Sequence, residues 1–267
     1  MAGKGKDKDS SIEIQQLNTE TIGLRLVGTT PMIYNAMSAK VSQDLLLPPK
    51  KKGRSEKEST LKHNPPEEYR RSVYRVRGDV APTRLVFPCG AVKEAISSAA
   101  LDIPGAAKAQ IGRLCWVESE TYQDGEVARH QNISVYGIPQ LLMSVTRSAD
   151  MNRTPDVRTR AILPEWAMYV EITFVKPNLN AQAVGNLMGA AGIIIGLSDW
   201  RQQKGSGNYG QFRLAGEDDQ EFERIRASGT REAQDAALLN PTCYDVETEE
   251  LLEWWKAETR RRGFEVA

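Results

Sequence analysis

Between Gly196 and Leu214 the chain reads GLSDWRQQKGSGNYGQFRL, a combination of residue types suited to holding a phosphodiester strand. Gly205, Gly207 and Gly210 allow backbone N–H groups to approach a phosphate or another chain closely, because glycine has no Cβ and tolerates positive φ. Trp200 and Tyr209 offer faces on which unpaired bases stack, and Arg201, Lys204 and Arg213 add positive charge. The alternative for this stretch is a glycine-rich hairpin whose aromatic rings fill the rim of the core.

The charge that would serve such a loop is segregated along the chain, although the formal net charge is +0. From Lys50 to Arg77 the cations Lys50, Lys51, Lys52, Arg54, Lys57, Lys62, Arg70, Arg71, Arg75 and Arg77 outnumber Glu56, Glu58, Glu67 and Glu68. A second basic stretch, Arg147–Arg160 (RSADMNRTPDVRTR), contributes Arg153, Arg158 and Arg160. After Glu217 the balance reverses, with GEDDQEFE and ETEELLE carrying acids. Blocks of this kind suggest an anionic ligand for the basic segments, and an intramolecular mimic or a head-to-tail partner contact for the acidic one.

Catalytic signatures are sparse. His63 and His130 lie in polar stretches that are expected to be solvent-exposed loops, and HExxH, GxSxG and CxxC do not occur. A GxGxxG-like spacing at Gly205, Gly207 and Gly210 follows a helix and precedes a strand, the reverse of a dinucleotide fingerprint. Cys89, Cys115 and Cys243 are odd in number and widely spaced, so they are expected to be reduced thiols rather than disulfides or metal ligands. No cofactor and no metal are expected. Asp79, Asp156 and Asp199 are the carboxylates available to activate a 2′-hydroxyl, each with the alternative of a turn or cap residue.

The elements that must position these residues follow from periodicity. Residues 1–11 (MAGKGKDKDSS) cannot bury apolar surface and are expected to form a disordered basic arm. Residues 12–215 read as one α+β domain, with insertions at about 48–68 and 147–160, and residues 216–267 as an acidic helical extension. Strands are expected at Thr21–Val27, Tyr69–Val76, Arg84–Phe87, Ile111–Val117, Gln140–Thr146, Trp166–Val175 and Tyr209–Leu214. Helices are expected at Asn35–Leu46, at Gly90–Leu101 with its stripe of Val92, Ala95, Ile96 and Ala99, and at Ala181–Ile194 behind an Asn180 cap. The segment 147–160 reads as a protruding hairpin or thumb-like loop. In the extension, Thr248–Arg262 has acids first, Arg260 to Arg262 last and Gly263 as a stop, and its Leu251, Leu252, Trp254 and Trp255 are expected to dock in cis or on a neighbouring copy.

This order is that of a ferredoxin-like or RNA-recognition-like unit: two helices on one face of an antiparallel sheet, the first and last strands adjacent, and one face of the sheet left free. RNA-recognition modules use that face for unpaired bases. No apolar run approaches the roughly 20 residues needed to cross a bilayer, so no membrane contact is expected. The expected location is cytoplasmic.

The phrases GTTPMIYNA, FPCGAVKEAISSAA, RTRAILPEWAMYVEITF and GLSDWRQQKGSGNYGQFRL resemble a group of uncharacterised bacteriophage proteins. Those are similar to the RAMP superfamily, specifically to CRISPR effector backbone subunits. The resemblance covers roughly residues 20–215 and implies an elaborated RNA-recognition-like fold that polymerises along RNA. It places Gly205, Gly207 and Gly210 in the family's glycine-rich loop and the two basic insertions in the places of its finger and thumb. It also implies a loop aspartate for those members that cleave RNA. The combined expectation is a non-enzymatic protein that oligomerises head-to-tail on single-stranded RNA or DNA, with 248–262 as a candidate contact between copies. Its phosphate contacts are Lys50, Lys51, Lys52, Arg54, Arg70, Arg71, Arg153, Arg158, Arg160, Arg201 and Lys204. Trp200 and Tyr209 supply the stacking faces, with Gly205, Gly207 and Gly210 beside them. The alternatives are a phage structural or assembly protein that oligomerises without nucleic acid, and a RAMP-type ribonuclease.

Overall fold

The computed structural model describes residues 16–36, 46, 61–76, 81–120, 132–147, 155–204 and 207–264. The chain runs β1 (Asn18–Gly28), β2 (Met32–Ile33), α1 (Pro65–Arg71), β3 (Val86–Pro88), α2 (Cys89–Ala99), α3 (Lys108–Leu114) and β4 (Cys115–Val117). It continues through β5 (Asn132–Tyr136), β6 (Gln140–Arg147), β7 (Pro155–Leu163), β8 (Ala167–Lys176), α4 (Ala181–Ala190) and a π-helical turn at Ala191–Ile195. It closes with β9 (Phe212–Ala215), α5 (Gln220–Ser228), α6 (Arg231–Leu239) and α7 (Val246–Arg261).

The fold is α+β, with two antiparallel sheets among the described residues. The larger has the order β3-β5-β8-β1-β9, with β4 also on β8, and the smaller is β2-β7-β6. Within the larger sheet, β9-β1-β8-β5 with α2 and α4 as crossovers is the split βαβ arrangement, and the first strand lies beside the last of the domain. Ile22, Leu24 and Leu26 of β1 alternate with polar residues, as do Met168, Val170, Ile172 and Phe174 of β8, so each strand lays one apolar face on the core. Val92, Ala95, Ile96 and Ala99 of α2 and Val184, Leu187 and Met188 of α4 cover that face. Asn180 caps α4, its Oδ1 accepting the Ala183 N–H at 2.8 Å.

Several expected elements differ. Tyr69–Val76 does not begin as a strand, because Pro65–Arg71 is helical. Asn64 Oδ1 accepts the Glu67 N–H, Pro65 and Pro66 occupy the first positions, and acids precede arginines, so the capping signals outweigh the short apolar run. The insertion expected at 48–68 therefore ends in ordered helix. Ile111–Val117 is helical up to Leu114 and extended only from Cys115. The final strand begins at Phe212, because Tyr209 and Gly210 form a turn in which Gly210 has φ +72°. The helix expected from Asn35 to Leu46 lies largely outside the described residues, as do 1–11, 48–60 and 148–154.

The C-terminal extension docks on its own domain. Phe222 and Ile225 of α5 pack on Val27 and Ala167, on the sheet face opposite α2 and α4, so the face expected to be free is covered at one end. Gln234 of α6 is buried. Its Oε1 accepts the Arg84 and Leu85 N–H groups, each at 2.8 Å, and its Nε2 donates to the carbonyls of Val135 and Gly137 at 2.8 and 3.0 Å. Before α7, Tyr244 N–H donates to Leu141 O at 2.9 Å; within the helix, Thr248 Oγ1 accepts the Met143 N–H at 3.2 Å and Leu252 joins the main core. Leu251, Leu252 and Trp255 of α7 thus pack in cis, whereas Trp254 stays 62% exposed.

Candidate nucleic-acid interface

The loop after α4 is held against the small sheet by backbone bonds. Leu197 N–H donates to Gly210 O (2.9 Å), Gly210 N–H to Pro31 O (2.8 Å) and Asp199 N–H to Ile33 O (3.2 Å), while Ser198 Oγ accepts the Ile33 N–H at 2.8 Å. This anchoring places Trp200 and Tyr209 over the outer face of β2-β7-β6, packed on Ile33, Leu142 and Ile162. The two rings stack on each other, with centroids 6.4 Å apart and planes 26° apart. Trp200 has φ +54°, an uncommon value for a residue with a Cβ. A Cβ on Gly207 would run into the Trp200 carbonyl, so glycine is required for this close return of the loop.

Strand alternation extends this face along β7. Ile162 lies under the aromatic pair, and Arg160, Arg158 and Asp156 follow on the same side, opposite Leu142, Ser144 and Thr146 of β6. Arg160 forms an ion pair with Asp199 of the loop, its side chain only 9% exposed, and burial pulls its pKa below the usual arginine value against the opposing pull of Asp199. Arg158 is exposed. Asp156 accepts from Lys62 Nζ at 2.7 Å and lies 3.0 Å from His63 Nε2, and the Lys62 bond holds its carboxyl below the ordinary range. His63 is therefore no solvated loop residue; its Nδ1 is also 3.0 Å from Glu68. Arg201 donates to Ser198 O at 3.1 Å and reaches Gln203.

The structure brings Arg158, Arg160, Trp200, Arg201, Gly207, Tyr209 and Gly210 together from two distant segments. Arg70 and Arg71 lie on α1, where Arg70 Nε donates to Pro66 O and Arg71 pairs with Glu67. Lys50, Lys51, Lys52, Arg54, Arg153, Gly205 and Asp79 lie outside the described residues.

Lys204 extends the strip toward residues that sequence reasoning missed. It is exposed, and its charge reaches Glu94 of α2, whose carboxyl is lowered chiefly by Lys108 Nζ at 2.6 Å. Lys93, Glu94, Ser97 and Lys108, with Gly90 and Gly112, line a shallow depression of about 480 Å³. Lys93, Lys108 and Lys204 come from three separate segments, so no local motif could have joined them.

The uncovered part of the large sheet has a different character. Trp116 and Tyr169 lie on it beside Glu118 and Glu171, and Trp116 Nε1 donates to Glu118 Oε1 at 2.9 Å. The Arg25 guanidinium is placed 6.0 Å from the Tyr169 ring centroid and 5.9 Å from that of Phe222. Carboxylates beside the aromatic rings make this a poor surface for phosphates.

Scanned against protein-family models and against curated proteins, the chain matches none. No described helix is long and apolar enough to cross a membrane.

Proposed function

We propose that the chain binds single-stranded nucleic acid without cleaving it, along the outer face of the β6–β7 hairpin and the loop at 196–210. The observation that carries this reading is the strip on which Arg158, Arg201 and Lys204 accompany the Trp200–Tyr209 pair, while Arg160, expected as a phosphate contact, is buried against Asp199 and anchors the loop instead. In this reading the cations track the backbone and the half-buried aromatic pair stacks on a base, a sequence-tolerant arrangement. Lys93, beside the Lys108–Glu94 ion pair, adds a further cation beyond Lys204. Several copies along one strand remain part of the reading; Leu251, Leu252 and Trp255 of α7 pack on their own domain, which leaves Trp254 of that helix open to a neighbouring copy.

Two features weigh against the alternatives. Asp156 and Asp199 are engaged by Lys62 and Arg160, so neither stands ready as the base of a ribonuclease. The acidic extension pairs with its own domain through Arg84–Asp235, Arg213–Asp219 and Arg224–Glu165, which leaves less charge for contacts between subunits of an assembly protein.

Fluorescence anisotropy of labelled oligouridylate and oligothymidylate across a salt series tests the proposal. Binding should weaken with salt, and Arg158→Ala with Lys204→Ala should flatten the logarithmic slope by about 0.7 for each phosphate no longer neutralised. A slope unchanged in the double variant counts against it.

A further inference from the structure

β1 is longer than the strand bordering it. It pairs with β8 from Asn18 to Val27, whereas β9 reaches it only between Arg25 and Gly28, and Ala215 then leads away toward α5. The register decides which backbone groups are left over. Gly28 N–H donates to Trp166 O on the β8 side and Thr29 N–H to Gln211 O on the β9 side, both at 2.8 Å. Direction alternates residue by residue in an antiparallel strand, so Thr19, Thr21 and Gly23 turn their N–H and C=O groups away from β8. Among the described residues, no backbone group bonds to them on that side.

Among the described residues, this edge lacks the usual guards. Thr19, Thr21 and Gly23 are exposed and carry no lysine, proline or bulge, and Ile22 and Leu24 beside them are only partly buried. The strand is nevertheless braced within its own sheet: a Cβ on Gly23 would strike the Tyr169 ring, which lies across it, and Thr21 Oγ1 bonds Thr173 Oγ1 at 2.7 Å. A stiff, unguarded strand with outward amides is a template for pairing.

We infer that this edge pairs with the same edge of a second copy, antiparallel across a two-fold axis at Thr21. The register is self-complementary. Thr19 stands opposite Gly23 and Thr21 opposite Thr21, which engages all three outward residues of each copy, and Glu20 stands opposite Ile22. No like charges meet, and Glu20 is already neutralised by Lys176 of its own chain at 2.5 Å. The contact is isologous and closes at two copies, leaving the hairpin face of each open to its own ligand. It is independent of the nucleic-acid reading and is measured in the absence of any nucleic acid.

Sedimentation of the nuclease-treated full chain over a concentration series reads it out. Wild type should show a monomer–dimer equilibrium. Thr21→Pro removes an outward N–H while sparing the β8 pairing, and should weaken the dimer by roughly tenfold or more. Thr21→Lys and Thr21→Glu each set like charges across the axis and should be monomeric alone, whereas their equimolar mixture should dimerise, which also establishes that both fold. A wild type that stays monomeric, single-charge variants that dimerise as wild type does, or a mixture that fails to recover would overturn the inference. So would amides of Thr19, Thr21 and Gly23 that exchange as fast in the dimer as in the monomer.

Discussion

Arg160 of β7 and Asp199 of the loop after α4 form an ion pair in which the arginine side chain is 9% exposed and the aspartate 29%. It ties the loop bearing Trp200 to the hairpin bearing Arg158, so the two halves of the strip hold one geometry. Asp199→Asn leaves a buried guanidinium without its counter-charge. Unfolding in urea should show a loss of about 1–3 kcal/mol, below the full cost of breaking a buried pair because Asp199 is partly solvated. An unchanged midpoint would mean that the pair does not hold the loop.

Trp200 has two roles that its variants should separate. It packs on Ile33, Leu142 and Ile162 and, under the proposed function, stacks on a base. Trp200→Phe should keep most of both, whereas Trp200→Ala should weaken oligonucleotide binding by about tenfold, in line with the roughly 1–3 kcal/mol of one stacked base. Anisotropy titrations alongside thermal melts distinguish impaired stacking from impaired folding.

Asp219 links β9 to the extension. Its carboxylate accepts from Arg213 at 2.6 Å and caps α5 by accepting the Phe222 N–H at 2.9 Å, and these bonds lower its pKa from 3.8 to about 2. A carboxylate depressed in the folded state stabilises above its unfolded pKa, and that contribution is lost as the pH falls through the folded one. Wild type should therefore lose stability between about pH 4 and pH 2. Asp219→Asn should be less stable at neutral pH and show a shallower decline over that acid window in circular-dichroism melts.

Gln234 satisfies backbone groups of Arg84, Leu85, Val135 and Gly137 from inside the core. Gln234→Leu fills similar space but leaves those groups without a partner, at about 1–3 kcal/mol for each one not resolvated. Hydrogen exchange should speed up first at the Arg84 and Leu85 amides, ahead of global unfolding. Uniform protection across the chain would show that α6 is not the clasp of β3.

The sequence made the sheet and its crossover helices legible because β1, β8, α2 and α4 each carry a clean period and Asn180 an unambiguous cap. It misled at Tyr69–Val76, where Asn64, Pro65 and Pro66 signalled a helix more strongly than the apolar residues signalled a strand. The loop aromatics were legible as types, but their mutual stacking was not, since it depends on Gly207 returning beneath Trp200. Arg160 read as a phosphate contact because its partner, Asp199, lies 39 positions away in a different element. The covered sheet face was hidden for the same reason: Phe222 and Ile225 reveal their destination only once α5 has docked.

Ultraviolet cross-linking of bound oligouridylate, followed by mass spectrometry of the peptides, locates the ligand directly. Adducts are expected on Trp200 or Tyr209, with none on the far face of the large sheet. Adducts concentrated on Trp116 or Tyr169 instead would contradict a binding path along the hairpin.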